Sequence, residues 1–321
     1  MQTLWVILLL LVGLVLIVGG ADKLVDGASA IARRYRISEF VIGMTIVGIG
    51  TSAPELVVSL IGAAEGNADI AIGNVVGSNT INTLFGLGLT ALIFPMAITR
   101  SNRRVDIPMH LGFTALVFGL GMTGSLLGFG PDRLCRADAG ILLLFFALYI
   151  AFHLRNGRKH AEEAPAQEKI PTLTVSILLI LLGLVALIFG GRLFVDSATK
   201  LARLMGASDK FIAVTILAVG TSLPELATCI VAAAKKKGQL ALGNILGSNI
   251  FNLLLILGIS GLITPLSFAG MDRVDAGVLL VAGVLLVTAS WTGRNNKLDR
   301  VDGALLLLSW VGYMTWLIYN L

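Results

Sequence analysis

Residues 47–56 read Val-Gly-Ile-Gly-Thr-Ser-Ala-Pro-Glu-Leu, and residues 219–226 read Val-Gly-Thr-Ser-Leu-Pro-Glu-Leu. Both stretches lie inside long apolar runs, and both carry two residues that a buried helix avoids. Proline has no backbone donor and crowds the preceding turn. Glutamate brings a charge, which costs about 2.5–3.5 kcal/mol at the centre of a bilayer on insertion scales. A pattern this costly, present twice, points to a function rather than a kink.

The recurrence extends well beyond the motif. A shift of 170 residues places Gly50 on Gly220, Pro54 on Pro224 and Glu55 on Glu225. The same shift matches Gly73-Asn74 with Gly243-Asn244, Gly77-Ser78-Asn79 with Gly247-Ser248-Asn249, Asn82 with Asn252, and Pro95 with Pro265. Between 41–95 and 211–265, 24 of 55 positions are identical without a gap. Val25-Asp26 and Val195-Asp196 keep the register. Apolar helices that resemble one another by chance do not hold register at Gly, Pro, Asn and Glu, so the chain is an internal duplication.

Of the 321 residues, 56% are hydrophobic and 13% charged, against about 25% charged in soluble domains, which marks a membrane protein. Apolar runs suited to crossing a bilayer lie near 3–21, 39–63, 69–94, 109–129, 138–154, 173–191, 211–234, 239–264, 275–291 and 303–320. The predicted fold is therefore an all-α polytopic membrane protein with ten transmembrane helices. No basic n-region or small-residue cleavage site marks the first run as a removed signal peptide. With the N-terminus outside, the inside loops hold 17 Lys and Arg and the outside loops 7, so both termini are expected outside.

Each half holds five spans. Two successive units with an odd number of spans enter the membrane from opposite sides, so the expected architecture is two inverted five-helix repeats, residues 1–160 and 172–321, joined by a short cytoplasmic linker, 161–171. Inverted repeats with broken helices meeting at the midplane belong chiefly to secondary transporters.

The residues at the breaks suggest what is carried. Pro54 disturbs the turn before it, so carbonyls from Gly48 to Thr51 are expected to lose helical partners. Irregular backbone is tolerated at this depth where it lines a cavity. Thr51 and Ser52 add hydroxyls, and Thr221, Ser222 and Pro224 repeat the arrangement. In the next span Ser78 and Asn82 share a helix face, as do Ser248 and Asn252. The glycines at 73, 77, 243 and 247 allow close helix approach. Asn79, Asn249, Asn74 and Asn244 suit either the site or backbone bonding. Two carboxylates with hydroxyl, amide and carbonyl oxygens, and no His, Cys or Met, select hard cations such as Na⁺, Ca²⁺ or Mg²⁺. Two glutamates neutralise one divalent ion or two monovalent ones.

Other features read as structural. The Asp of Arg104-Val105-Asp106, Arg136-Ala137-Asp138, Arg273-Val274-Asp275 and Arg300-Val301-Asp302 is expected to N-cap the span that follows. Asp26 and Asp196 are expected at the interface. His110 and His153 fall at span ends and His160 in the linker. Cys135 and Cys229 form no disulfide framework or metal spacing. No phosphate loop, nucleophile–base grouping or nucleic-acid motif appears, so neither enzyme activity nor a nucleic-acid partner is expected.

The paired Gly-Thr-Ser-x-Pro-Glu and Gly-Asn-x-x-Gly-Ser-Asn motifs closely resemble the α-repeats of the cation/Ca²⁺ antiporters, above all prokaryotic Na⁺/Ca²⁺ exchangers. The resemblance covers nearly the whole chain. It implies Ca²⁺ ligation by Glu55, Glu225 and the carbonyls of Thr51 and Thr221. It implies Na⁺ ligation by the hydroxyls of Ser52, Ser78, Ser222 and Ser248, the carbonyls near Gly48 and Ala218, and the Asn82 side chain. Where several relatives have Asp, this chain has Asn252, which leans towards K⁺ independence. The resemblance further implies an inner-membrane location, exchange by alternating access with spans 1 and 6 sliding on the core, and no large cytosolic regulatory domain. The partners expected are the two ions and membrane lipids, with no cofactor and no obligate protein partner. The alternative is a H⁺-coupled exchanger of Ca²⁺ or another divalent cation, since glutamate binds a proton as readily as Na⁺.

Overall fold

A chain buried in hydrocarbon must satisfy its backbone polar groups internally, and helices do so within one segment. The computed structural model, which describes residues 2–128, 130–156, 170–206, 216, 218–268, 271–293 and 296–320, is helical apart from four two-residue strands. In chain order the elements are α1 (Gln2–Tyr35), α2 (Glu39–Thr51), α3 (Ala53–Ala64), α4 (Ala68–Ile93), α5 (Ile107–Gly121), α6 (Thr123–Leu127), α7 (Arg136–Asn156), α8 (Leu173–Leu204), α9 (Ala218–Gly220), α10 (Leu223–Ala234), α11 (Gly238–Ile263), α12 (Arg273–Thr292) and α13 (Arg300–Tyr319). Among the described residues, seven helices are long and apolar enough to cross a membrane, or eight when the bent pair α2–α3 counts as one span. The expected linker lies outside the described residues except for Ile170 and Pro171, as does most of 211–217.

The duplication is visible element by element. Helix α3 recurs as α10 and α4 as α11, each displaced by 170 residues. The π-helical turn Ile81–Gly86 within α4 recurs as Phe251–Ile256 within α11. The strands cross-link the halves: β1 (Met96–Ala97) pairs antiparallel with β4 (Lys297–Leu298), and β2 (Arg133–Leu134) with β3 (Leu266–Ser267).

Burial separates a core from a periphery. In α11, 83% of the apolar stretch is buried, and in α4, 72%, against 28% for α1 and α8. The centre is thus α4 and α11, with the broken helices against them. On α11, a Cβ at Gly243 would collide with the Phe40 carbonyl oxygen, and one at Gly247 with that of Met44. The glycines therefore set the distance at which α2 approaches α11. The matching segment in the second half, 210–214, lies outside the described residues.

Helices α1 and α8 pack along each other over their length. Glycines at 13, 20 and 27 meet Gly190, Gly183 and Ser176, which places the two helices antiparallel with a contact every seven residues. Both helices outrun their apolar cores. Helix α1 continues to Tyr35 rather than ending before Asp22, and α8 continues to Leu204. Asp26 is therefore a helical residue, and Lys235 after α10 reaches both Asp22 at 2.6 Å and Asp26 at 2.7 Å.

The expected helix caps are corrected. Asp272 and Asp299 cap α12 and α13, accepting from Val274 N–H and from Val301 and Asp302 N–H. Asp302 accepts in return from Asp299 N–H, a reciprocal capping box. The signal is Asp-Arg-Val-Asp, and its first Asp is the cap. Asp138 accepts from Cys135 N–H, three residues before it, and Asp106 lies within the π turn Asn102–Asp106 that leads into α5.

Substitution Gly247→Ala is expected to destabilise the fold by about 1–3 kcal/mol, because the added methyl forces α2 and α11 apart. Thermal unfolding in detergent should show a lowered Tm. Gly191→Ala, where a Cβ meets nothing within 4 Å, should leave it nearly unchanged.

Candidate functional site

Pro54 sits in the first turn of α3, where its missing N–H costs nothing. Helices α2 and α3 meet at 49°, with Ser52 (φ −80°, ψ 10°) at the junction. Ser222 (φ −83°, ψ 1°) holds the same place before α10, with Pro224 in its first turn. Each break directs a Thr-Ser pair and a glutamate inward. Glu55, Glu225, Thr51, Ser52, Ser222, Ser248 and Asn252 have no exposed surface; Ser78 and Asn82 are also buried, and Thr221 is partly buried.

The two breaks face one another. Ser52 Oγ donates to Glu225 Oε1 at 3.0 Å, and Ser248 Oγ lies 3.5 Å from the same oxygen. Thr221 of the second break lies beside Glu55 of the first. Thr51 Oγ1 donates to Asn244 Oδ1 at 3.2 Å and sits 3.4 Å from Ser248 Oγ. Asn74 Nδ2 donates to the Glu55 carbonyl at 3.1 Å, and Asn244 Nδ2 to the Glu225 carbonyl at 3.2 Å. These two asparagines thus clamp α4 onto α3 and α11 onto α10 at the glutamates.

The Gly48 carbonyl is not left without partners, contrary to the sequence expectation. It accepts from Ser52 N–H at 3.1 Å and Ser248 Oγ at 3.2 Å. The reason is spacing: Pro54 removes the donor four residues after Gly50, and Gly48 keeps its own. Ala218 opens the three-residue turn α9 just before the second break.

Six buried oxygens in the set have no hydrogen-bond partner: both of Glu55, Glu225 Oε2, Ser78 Oγ, Ser222 Oγ and Asn252 Oδ1. A buried unpaired polar atom costs about 1–3 kcal/mol, and a charged one more. Three of the six are carboxyl oxygens, which a hard cation would satisfy, and hydroxyl, amide and carboxylate oxygens are the ligands that Na⁺ and Ca²⁺ take.

A second buried network adjoins this set. Asn82 Nδ2 donates to Asn249 Oδ1 at 3.2 Å, and Asn252 Nδ2 to Asn79 Oδ1 at 3.0 Å. Asn79 Nδ2 donates to the Asn249 carbonyl at 3.0 Å. Asn249 Nδ2 donates to Thr83 Oγ1 at 2.8 Å and to His110 Nε2 at 3.2 Å. Asn79 and Asn249 therefore join the halves through their side chains. Sequence reasoning missed Thr83 and His110. His110 lies in the first turn of α5, as expected near a span end, but is fully buried there, and its signal was a lone imidazole four residues after Asp106 in an apolar run.

Comparison with known proteins agrees with this geometry. The family model described as sodium/calcium exchanger protein matches residues 5–155 and 175–319. The chain is 36% identical to the inner membrane protein YrbG of Escherichia coli, over 96% of each chain. It is 32% identical to the sodium/calcium exchanger MaX1 of Methanosarcina acetivorans, over 97% of this chain and 98% of that one. A solved structure of the sodium-calcium exchanger NCX_Mj superposes with a TM-score of 0.83 at 32% identity, covering 98% of this chain and 99% of the other. The chain, with its two facing Pro-Glu breaks, belongs to the sodium/calcium exchanger protein family.

Proposed function

We propose that this protein is a secondary antiporter that exchanges Na⁺ for Ca²⁺ across the membrane by alternating access. The observation that carries the reading is a pair of fully buried glutamates with three of their four carboxyl oxygens lacking a hydrogen-bond partner. Glu55 and Glu225 with the carbonyls of Thr51 and Thr221 ligate Ca²⁺. The hydroxyls of Ser52, Ser78, Ser222 and Ser248, the carbonyls near Gly48 and Ala218, and the side chain of Asn82 serve Na⁺. Asn252 lies in the same set as a neutral amide. The doubly charged centre resists crossing without cations, and that resistance couples the two fluxes.

The proposed architecture is ten spans in two inverted repeats, 1–160 and 172–321, with 161–171 as a cytoplasmic linker and both termini outside. Supporting it are the antiparallel run of the equivalent helices α1 and α8, the reciprocal strand pairs and the reciprocal asparagine bonds. The eight candidate spans gain two when α5 and the second broken helix, of which α10 is the described limb, are counted. The largely lipid-exposed pair α1–α8 is the moving part. It touches both breaks: a Cβ at Gly50 would meet Leu184, and one at Gly220 would meet Val195, both on α8.

The test is ⁴⁵Ca²⁺ uptake into Na⁺-loaded proteoliposomes. Uptake should require an outward Na⁺ gradient. Glu55→Gln should lower it more than about tenfold, since losing one of two charged ligands costs cation binding more than about 1.4 kcal/mol. Uptake driven by a pH step without Na⁺ would replace this reading with the proton-coupled one.

Ser52→Ala removes the hydroxyl bonded to Glu225 Oε1. It should raise the Na⁺ concentration for half-maximal exchange by about fivefold, the cost of one hydrogen bond, and move the Ca²⁺ value less. Uptake titrated separately against each ion checks this.

A further inference from the structure

The central asparagine network repeats between the halves with one departure. Asn82 bonds the Asn249 side chain and Asn252 bonds the Asn79 side chain, a matched exchange. The amide nitrogens of Asn79 and Asn249 then differ. That of Asn79 donates to the backbone carbonyl of Asn249, whereas that of Asn249 donates to Thr83 and His110.

The acceptors that make the difference exist in one half only. The shift of 170 residues sets Leu253 against Thr83. The register of Arg104-Val105-Asp106 with Arg273-Val274-Asp275 sets Leu279 against His110. The packing itself is matched, with α5 on α11 and α12 on α4, and Leu279 is fully buried as His110 is. A polar side chain in a buried membrane helix is costly and marks function. Here the sister repeat shows that leucine fills the corresponding place, so packing alone does not call for the imidazole.

The bonding pattern says what the imidazole does. An asparagine side chain offers an oxygen at one end and a donor pair at the other, and it can flip. With Nε2 accepting, His110 holds the Asn249 nitrogen on its own side, and the Asn249 oxygen must then face Asn82. Asn82 in turn spends its nitrogen on that oxygen, so its own oxygen is the atom left for an ion.

We propose that His110 is a positioning residue for Na⁺ selectivity, which orients Asn82 through Asn249. The proposal rests on the reading of Asn82 as a Na⁺ ligand. His110 touches no ion and acts through two amides. Because Asn82 belongs to the Na⁺ set and not to the carboxylate pair that takes Ca²⁺, loss of the orientation falls on one ion.

The test is Na⁺-driven ⁴⁵Ca²⁺ uptake in proteoliposomes for wild type, His110→Leu, His110→Gln and Asn82→Ala, titrated against each ion. His110→Leu installs the residue of the sister repeat. It should raise the half-saturating Na⁺ concentration about fivefold, with the Ca²⁺ value within about twofold. His110→Gln, which restores an acceptor, should recover most of the Na⁺ affinity. If His110→Leu does not fold, Thr83→Val removes the other acceptor of Asn249 at constant shape and should shift Na⁺ in the same direction. The proposal fails if Asn82→Ala weakens Na⁺ while His110→Leu and Thr83→Val do not. Equal shifts for both ions, or no recovery in His110→Gln, would also overturn it. Unchanged Na⁺ dependence in Asn82→Ala would remove the reading of Asn82 as a ligand, and the proposal with it.

Discussion

Two carboxyl groups facing each other in an apolar helical bundle are the constraint on which the rest of this structure depends. Neither Glu55 nor Glu225 has any contact with solvent. Their mutual repulsion and their desolvation both oppose folding. Around them lies a shell of oxygens supplied by two broken helices and the two helices behind them, with hydroxyl donors for Glu225 Oε1 and no partner for the other three carboxyl oxygens. The breaks are part of that shell. A continuous helix would use its backbone groups internally and carry its hydroxyls past the glutamate, whereas a bend at Ser52 or Ser222 turns Thr, Ser and Glu to one point.

Holding such a centre needs rigidity behind it, and the proposed alternating access needs freedom beside it. Helices α4 and α11 supply the rigidity. They are the most enclosed elements, they cross-bond through four asparagines, and α11 admits α2 at a distance that only glycine allows. The long pair α1–α8 is different in kind. It is glycine-seamed, mostly lipid-facing, and bound to the core by apolar contact with an ion pair from Lys235 at one end. In the proposed alternating access, a body joined through smooth apolar surface would slide at low cost, because lipid and helix offer it similar dispersion contacts.

The two halves are alike but not identical, and the differences are chemical. Glu65-Gly66-Asn67 after α3 becomes Lys235-Lys236-Lys237 after α10. The turn survives, since Gly66 (φ +76°) and Lys236 (φ +61°) share the left-handed conformation, with the lysine held where glycine is easier. The lysines put three positive charges where the sister turn has one negative charge. In the core, His110 and Thr83 stand where the sister repeat has leucine. Duplication thus supplied the frame, and later substitution made its two ends and two amides unequal.

Much of this was legible in the chain. The duplication, the all-helical class, the breaks at Pro54 and Pro224 and the oxygen character of the set follow from residue identity and spacing, because Gly, Pro, Asn and Glu in an apolar run have few structural excuses. Local signals were weaker where tertiary contacts compete with them. Helix α1 runs on to Tyr35 with Asp22 and Asp26 paired to Lys235 at the end of α10, a partner 209 residues or more away. The caps of α12 and α13 fell three residues earlier than expected, and at Asp299 a reciprocal box with Asp302 satisfies two donors where a single Asp satisfies one. Only the tertiary structure decided that Ser52 reaches the opposite glutamate, that the Gly48 carbonyl is already bonded, and that His110 lies in the central network. Spacing along a helix tells which side chains share a face. Which atom meets which across helices depends on rotation and depth, and those are set by packing of the whole bundle.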